Sequence, residues 1–228
     1  MSIAIVGGTG DLGFGLALRL ARAGREVVIG SRQAEKAADA VRRAKEALGD
    51  DGAPVGGAEN PEAVSKSDIS FVTVPFAGQA ATYKGLEPHW AEGSVICDTT
   101  TPLATAIGGA ATQIVHPWQG SAAEQAAAYL PDHVRFVSGF HSVGAEALED
   151  LDHQPGADVL LCGKDPEAKA TIGELVEAIG MRWVDCGPLS MARILEPITA
   201  VLIRVNRGYG LRHAGVRVTG RDDWGAAE

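Results

Sequence analysis

The stretch Ser2-Ile3-Ala4-Ile5-Val6-Gly7-Gly8-Thr9-Gly10-Asp11-Leu12-Gly13 decides the fold. Ser2 to Val6 is a β-branched run stopped by glycines, which reads as a strand. Leu12 to Ala23 is dense in Leu and Ala, as a buried helix is, and Gly24 ends it. Gly8, Gly10 and Gly13 fall on the spacing G-x-G-x-x-G, a weak signal by itself in a chain with 29 glycines. Its place between a strand and a helix gives it meaning. There the first glycine permits a tight turn, the second lets backbone approach a pyrophosphate, and the third allows close helix packing. The helix start adds unpaired N–H groups and a positive dipole end. Gly8, Thr9, Gly10, Asp11, Leu12 and Gly13 are therefore expected to hold a dinucleotide.

Outward from this unit the same rhythm continues. Glu26 to Ile29 reads as a second strand, and Gln33 to Leu48 as a helix with Ala34, Ala37, Ala38, Val41 and Ala44 on its apolar positions. After the loop-like Gly49 to Gly57 come a weak strand near Val55, a short helix at Pro61 to Lys66 and a strand at Ile69 to Val74. A helix from Phe76 to about Glu87, a strand at Ser94 to Asp98, a helix at Ala122 to Leu130 and a strand at Val134 to Val137 follow. Further on, Ala157 to Cys162 and Met181 to Asp185 read as strands that continue the sheet. Between them Asp165 caps a helix that runs to Ile179 with Pro166 in its first position. Ser190 to Arg207 reads as one long apolar helix kinked at Pro197. The tail after Tyr209 offers no further element. The expected class is α/β: a Rossmann-type doubly wound, mostly parallel sheet with a small C-terminal helical extension. A dinucleotide-binding domain over residues 1–150 would be completed by a smaller unit over 151–228.

Composition narrows the partners. At 228 residues, 46% hydrophobic and 21% charged, the chain is long enough and apolar enough to bury a core. A formal charge of -9 without basic clusters argues against nucleic acid. Cys97, Cys162 and Cys186 are widely spaced in apolar runs, the pattern of reduced core thiols. The N-terminus lacks a basic leader pattern, and the late apolar run Ile198 to Ile203 is too short to cross a bilayer. A cytoplasmic protein with no membrane partner is the expectation. The histidines show no metal-ligand spacing with one another or with the cysteines, so no metal is expected.

The end of the second strand selects the cofactor. An acid there would bind a ribose 2′-hydroxyl and repel a 2′-phosphate. Here stand Gly30-Ser31-Arg32, with the first acid, Glu35, inside the next helix and Lys36 one turn along. Ser31, Arg32 and Lys36 suit a 2′-phosphate, so the cofactor is expected to be NADP. In a parallel sheet the loops after the strands share one edge, which gathers Val74-Pro75-Phe76, Thr99 to Pro102 and Gly139 to Ala145 beside the glycine loop. Val74, Pro75 and Phe76 would wall the nicotinamide. His141 is the one histidine in such a loop; it is a catalytic candidate through a hydrogen bond to a carbonyl, or else a residue that positions its loop. Neither a Tyr-x-x-x-Lys pair nor a nucleophile elbow is present, which leaves the chemistry to the cofactor.

Ile5 to Gly13, Gly15 to Leu20 and Val28 to Arg32 with Lys36 resemble the NADPH-dependent coenzyme F420 reductases, also called F420-dependent NADP oxidoreductases. Thr73 to Phe76, Val137 to Ala145, Val159 to Gly163, and Asp185 to Ser190 with Arg193 and Glu196 extend the resemblance over nearly the whole chain. Leu103 to Gly120 and the tail after Tyr209 stand outside it. The resemblance implies reversible hydride transfer between C4 of the nicotinamide of NADP(H) and C5 of the deazaflavin coenzyme F420. It implies that Val74 and Phe76 flank the nicotinamide and that His141, Val143 and Ala145 lie in the loop over the stacked rings. It also places the deazaflavin near Leu195 and Thr199 and implies a homodimer, for which the long apolar helix is the candidate interface. Two other readings share the sequence: an NADPH-dependent reductase of the same fold acting on a flavin or imine, and a non-catalytic NADP-sensing module.

Overall fold

A computed structural model describes residues 1–49 and 52–220; parts of the loop expected at Gly49 to Gly57 and of the C-terminal tail lie outside the described residues. The main sheet comprises β1 (Ser2–Val6), β2 (Glu26–Ser31), β3 (Val55–Glu59), β4 (Ile69–Val72), β5 (Val95–Asp98) and β6 (Arg135–Ser138). Its order is β3-β2-β1-β4-β5-β6, and all five pairings are parallel. The doubly wound sheet expected from the glycine loop is present, including its weakest strand, β3. The order reverses between β1 and β4, the switch point at which doubly wound sheets form their ligand crevice beyond the carboxyl ends of the strands.

Alternate side chains of each strand feed two cores. On one face Ile3, Ile5 and Phe71 pack against α1 (Asp11–Arg22), α2 (Ala34–Leu48), α6 (Ala145–Glu149) and α7 (Pro166–Ala178). On the other, Ala4, Val72 and Ile96 meet α3 (Asn60–Ser65), α4 (Phe76–Leu86), α5 (Ala122–Ala127) and α8 (Ala192–Leu195). Asp165 caps α7 as expected, its carboxylate accepting the Ala168 amide at 3.1 Å. Helix α6 has no counterpart in the sequence reading, because its single buried residue, Leu148, sets no periodicity. It is held from outside: the buried Arg19 guanidinium of α1 donates to the carbonyls of Leu148 at 2.9 Å, Ala147 at 2.8 Å and His153 at 2.7 Å.

The C-terminal part departs from expectation twice. Strands β7 (Asp158–Leu161) and β8 (Arg182–Asp185) pair with each other, in parallel, and do not extend the main sheet. Among the described residues their one ladder contact with β6 is an antiparallel bridge between Ser138 and Cys162, so the chain arrives in the wrong direction to continue a parallel ladder. The long helix expected from Ser190 to Arg207 is broken as well. A 3₁₀ turn at Leu189–Met191 and α8 are separated by Glu196 and Pro197 from α9 (Ile198–Tyr209). Proline brings no N–H to the ladder, and the chain re-enters a helix after it. Ala200 is the one buried residue of α9, while Val201 is 60% exposed. Among the described residues, no helix is long and apolar enough to cross a membrane.

Candidate active site

The turn after β1 is built from backbone. Gly7 sits at φ +74°, and the Gly8 amide donates to the carbonyls of Ile5 and Gly30, each at 3.0 Å. Gly10 closes the turn onto the Gly7 carbonyl at 3.1 Å. A β-carbon on Gly8 would lie 2.8 Å from the Ile5 carbonyl oxygen, and one on Gly13 only 2.4 Å from Thr73 Oγ1. These two glycines are demanded by packing inside the protein. Gly10 is different: a β-carbon there would have its nearest atom at 3.6 Å, so nothing in the protein requires its absence. The open side is where α1 begins, and no side chain caps that helix start. Unused amides, a helix dipole and a bare Cα fit a pyrophosphate. Asn60, which no motif had marked, buttresses the turn by accepting the Gly7 amide at 3.4 Å.

At the end of β2, Ser31 is buried and its Oγ accepts the Gln33 amide at 3.3 Å, while Arg32 and Lys36 are exposed. The cations after β2 and along α2 are not treated alike. Arg42 is engaged by Asp39 and by Glu46 at 3.0 Å, whereas among the described residues neither Arg32 nor Lys36 forms an ion pair. Two uncommitted cations beside the glycine loop suit a 2′-phosphate.

Strand β4 stops at Val72, so Thr73 and Val74 lead out of the sheet and Pro75 caps α4, which Phe76 begins. Val74 and Phe76 are half-buried and Pro75 exposed, an apolar rim on the same edge. Behind the rim lies a carboxylate that sequence reasoning missed. Asp98, fully buried at the end of β5, accepts the Tyr83 hydroxyl at 2.7 Å and the Thr100 amide at 2.9 Å. Gln79 Nε2 lies 3.3 Å from both its oxygens. Burial pushes the Asp98 carboxyl up and these donors hold it down. No motif could have flagged it, because Tyr83 and Gln79 reach it from α4.

His141 is 5% exposed and has no idle ring nitrogen. Its Nδ1 lies 3.2 Å from Thr101 Oγ1 and its Nε2 3.0 Å from Ser138 Oγ. Burial lowers its pKa to about 4, so the imidazole is neutral around pH 7. Thr199 of α9 donates to the His141 carbonyl at 2.8 Å and meets Thr101 Oγ1 at 3.0 Å, tying the histidine loop to the C-terminal helix. Phe140, just before it, holds a left-handed φ of +69° and packs edge-on to Phe71. Val143 is buried in the core beside α6, and Ala145 is half-buried as the first residue of that helix. Val143 also lines a cavity of about 250 Å³ with Gly144, Asp150, His153 and His213. The structure thus gathers the glycine loop, Arg32, Lys36, Val74, Phe76 and His141 along the ends of β1, β2, β4 and β6. Among the described residues, no group of three or more His, Cys, Asp or Glu side chains is arranged to hold a metal ion.

Comparison with known proteins bears on this edge. Residues 2–102 match the family described as NADP oxidoreductase, coenzyme F420-dependent. The F420-dependent NADP reductase of Methanothermobacter marburgensis is 42% identical over 221 residues, 96% of this chain and 98% of that protein. That of Methanocaldococcus jannaschii is 42% identical over 222 residues, again 96% of this chain and 98% of its own. Among solved structures, a putative F420-dependent NADP reductase from Arthrobacter sp. FB24 superposes with a TM-score of 0.78 at 22% identity, covering 92% of this chain and 95% of that one. At that identity the structural likeness speaks for the fold. The identity sustained over almost the full length of the methanogen enzymes speaks for more: the chain belongs to the family of F420-dependent NADP reductases.

Proposed function

We propose that this protein transfers a hydride reversibly between NADP(H) and coenzyme F420. In the forward direction NADPH, a proton and oxidised F420 give NADP⁺ and reduced F420. The observation that carries the reading is one crevice edge holding an open phosphate turn at Gly10, the uncommitted Arg32 and Lys36, and the apolar rim Val74 to Phe76. The methanogen relatives named for this activity support it.

The two coenzymes supply the redox chemistry; the chain supplies position. Gly8 to Gly13 offer backbone amides to the pyrophosphate, while Ser31, Arg32 and Lys36 offer a hydroxyl and two cations to the 2′-phosphate. Val74 and Phe76 give the nicotinamide an apolar wall, with Pro75 setting the turn between them. Val143 and Ala145 hold the far end of the histidine loop. Hydride transfer between stacked rings is governed by distance and orientation, and a dry wall serves both. His141 acts as a positioning residue: neutral and bonded through both ring nitrogens, it fixes its loop and neither gives nor takes a proton at neutral pH. Helix α9, with Val201 and nearby Ile194 exposed, serves as the interface of a homodimer, and the protein works in the cytoplasm.

The test mixes protein, NADPH and oxidised F420 and follows loss of the deazaflavin's visible absorbance, with NADH and FMN as parallel controls. Bleaching with NADPH and F420 is the expected result. Oxidation of NADPH by FMN with F420 untouched would move the assignment to a flavin reductase, and tight NADPH binding with no acceptor would move it to a sensor.

A further inference from the structure

Between α8 and α9 the chain turns at Glu196, a carboxylate only 1% exposed. Its two oxygens accept separate amides at the start of α5, Ala122 at 2.9 Å and Ala123 at 2.8 Å. Among the described residues no lysine or arginine forms an ion pair with it. Arg193, one turn back on its own helix, is committed to Glu124 at 2.7 Å. The groups facing Glu196 are Asp98 from β5, Glu124 from α5 and the Cys162 thiol after β7. The same α5 start is joined to Asp98 by Gln79, whose Nε2 also donates to the Ala122 carbonyl at 3.1 Å. A buried polar chain therefore runs from the rim of the crevice, through Thr100, Asp98, Gln79 and Ala122, to the elbow that carries α9.

We propose that Glu196 is a positioning residue for the hydride acceptor: by pinning the α8–α9 elbow to α5 it sets where α9, and with it Thr199, meets the His141 loop. Among the described residues the start of α9 is otherwise held by Ile198, partly buried on the core, and by the Thr199 hydroxyl, which bonds the His141 carbonyl and Thr101 Oγ1; Glu196 alone ties the elbow to the backbone of another helix. The donor side of the site stands on the sheet and does not depend on the elbow. Losing Glu196 therefore acts on the acceptor and spares NADPH. The inference rests on the F420 reading for its kinetic consequence but not for its structural one.

Burial lifts the Glu196 carboxyl to about 8 in the pinned state, against 4.5 in water. The pinned elbow thus binds the proton more tightly than a released one. By linkage the pin weakens as pH rises from 4.5 through about 8, and tightens as it falls. Gln at this position is uncharged, keeps one of the two amide bonds through its single acceptor oxygen and removes the titration, whereas Ala removes the pin.

The experiment compares wild type, Glu196→Gln and Glu196→Ala for NADPH affinity by fluorescence titration and for KM and kcat with F420 from pH 6 to 9. Glu196→Ala is expected to raise KM for F420 roughly tenfold, the scale of one or two lost hydrogen bonds, with NADPH affinity within about twofold of wild type. Wild-type KM for F420 is expected to climb above pH 7 while that of Glu196→Gln stays level. Hydrogen exchange of residues 198–209 supplies a readout that needs no acceptor, and faster exchange in Glu196→Ala is expected. An unchanged KM for F420 in Glu196→Ala, or parallel loss of NADPH and F420 binding, would overturn the assignment. Should wild type fail to reduce F420, the proposed activity falls, and unaltered exchange in α9 would then sink the positioning role as well.

Discussion

The two walls of the proposed site, one for the hydride donor and one for the acceptor, are built on opposite principles. The donor wall is backbone: the turn Gly7 to Gly10 is closed by amide-to-carbonyl bonds and stands on the middle of a six-stranded sheet packed on both faces. The acceptor wall is side chain: α9 reaches the site through the Thr199 hydroxyl and is anchored at its start by one carboxylate. A backbone wall tolerates no change of shape, whereas a side-chain wall can be loosened in steps.

The sharpest break would come at Gly13. A side chain there collides with the Cα of Gly8, in the turn itself, and with Thr73 Oγ1, just beyond β4, so Gly13→Val is expected to abolish NADPH binding in a fluorescence titration. Retained affinity would mean that α1 can slide, contrary to a rigid donor wall. Next in size, Arg32→Ala should weaken NADPH by about 1.5–3 kcal/mol, the range for hydrogen bonds to charged groups, and leave NADH unchanged. Equal losses for the two nucleotides would remove Arg32 from the 2′-phosphate. On the acceptor wall Thr199→Val should cost about 0.5–1.5 kcal/mol in kcat/KM for F420 and nothing in NADPH affinity.

His141 joins the two walls, and its contribution shows in stability. Its folded-state pKa of about 4 lies below the 6.5 of an exposed imidazole, so the unfolded chain takes the proton first. Stability is therefore lost as pH falls from 6.5 towards 4, and kept above 6.5. In His141→Gln, thermal melting should show a shallower decline over that window; an identical slope would mean the ring is not buried as described. The smallest effect belongs to Arg42→Ala. Its carboxylate partners are exposed neighbours on α2, so NADPH affinity should be unmoved, against the large loss at Arg32, just before the same helix.

The same contrast explains what the sequence disclosed. The donor wall was legible because a turn made of backbone must be written in glycines, and because strands buried on both faces leave apolar runs such as Ile3 to Val6. The position of Arg32 was readable too, since it follows the strand end by one residue. The acceptor wall was only partly legible. Asp98 stands in an apolar run and gains its partners from α4, which sequence spacing cannot announce. Glu196 belongs to the resemblance, but its two amide partners lie over seventy positions away. Helix α6 went unseen because the cause of its fold is Arg19, in another helix. The broken helix at Pro197 and the separate pairing of β7 with β8 were misjudged for a related reason. Local apolar pattern describes which residues are buried but not which neighbour buries them.

The stretch beyond α9 lies along an edge of β7. The Asp158 amide at the start of β7 donates to the Val216 carbonyl at 2.8 Å. Asp158 in turn accepts the Val218 amide at 2.7 Å while it pairs with Arg182. The antiparallel bridge to Ser138 occupies the other end of the same strand. A two-stranded sheet with an open border is a template for pairing with another chain, the first step of aggregation. Here one border of β7 is sealed at both ends by the protein's own backbone. Residues 216–218 therefore work as a selvedge, and stripping them would be felt first in the protein's shelf life at high concentration and only later in its catalysis.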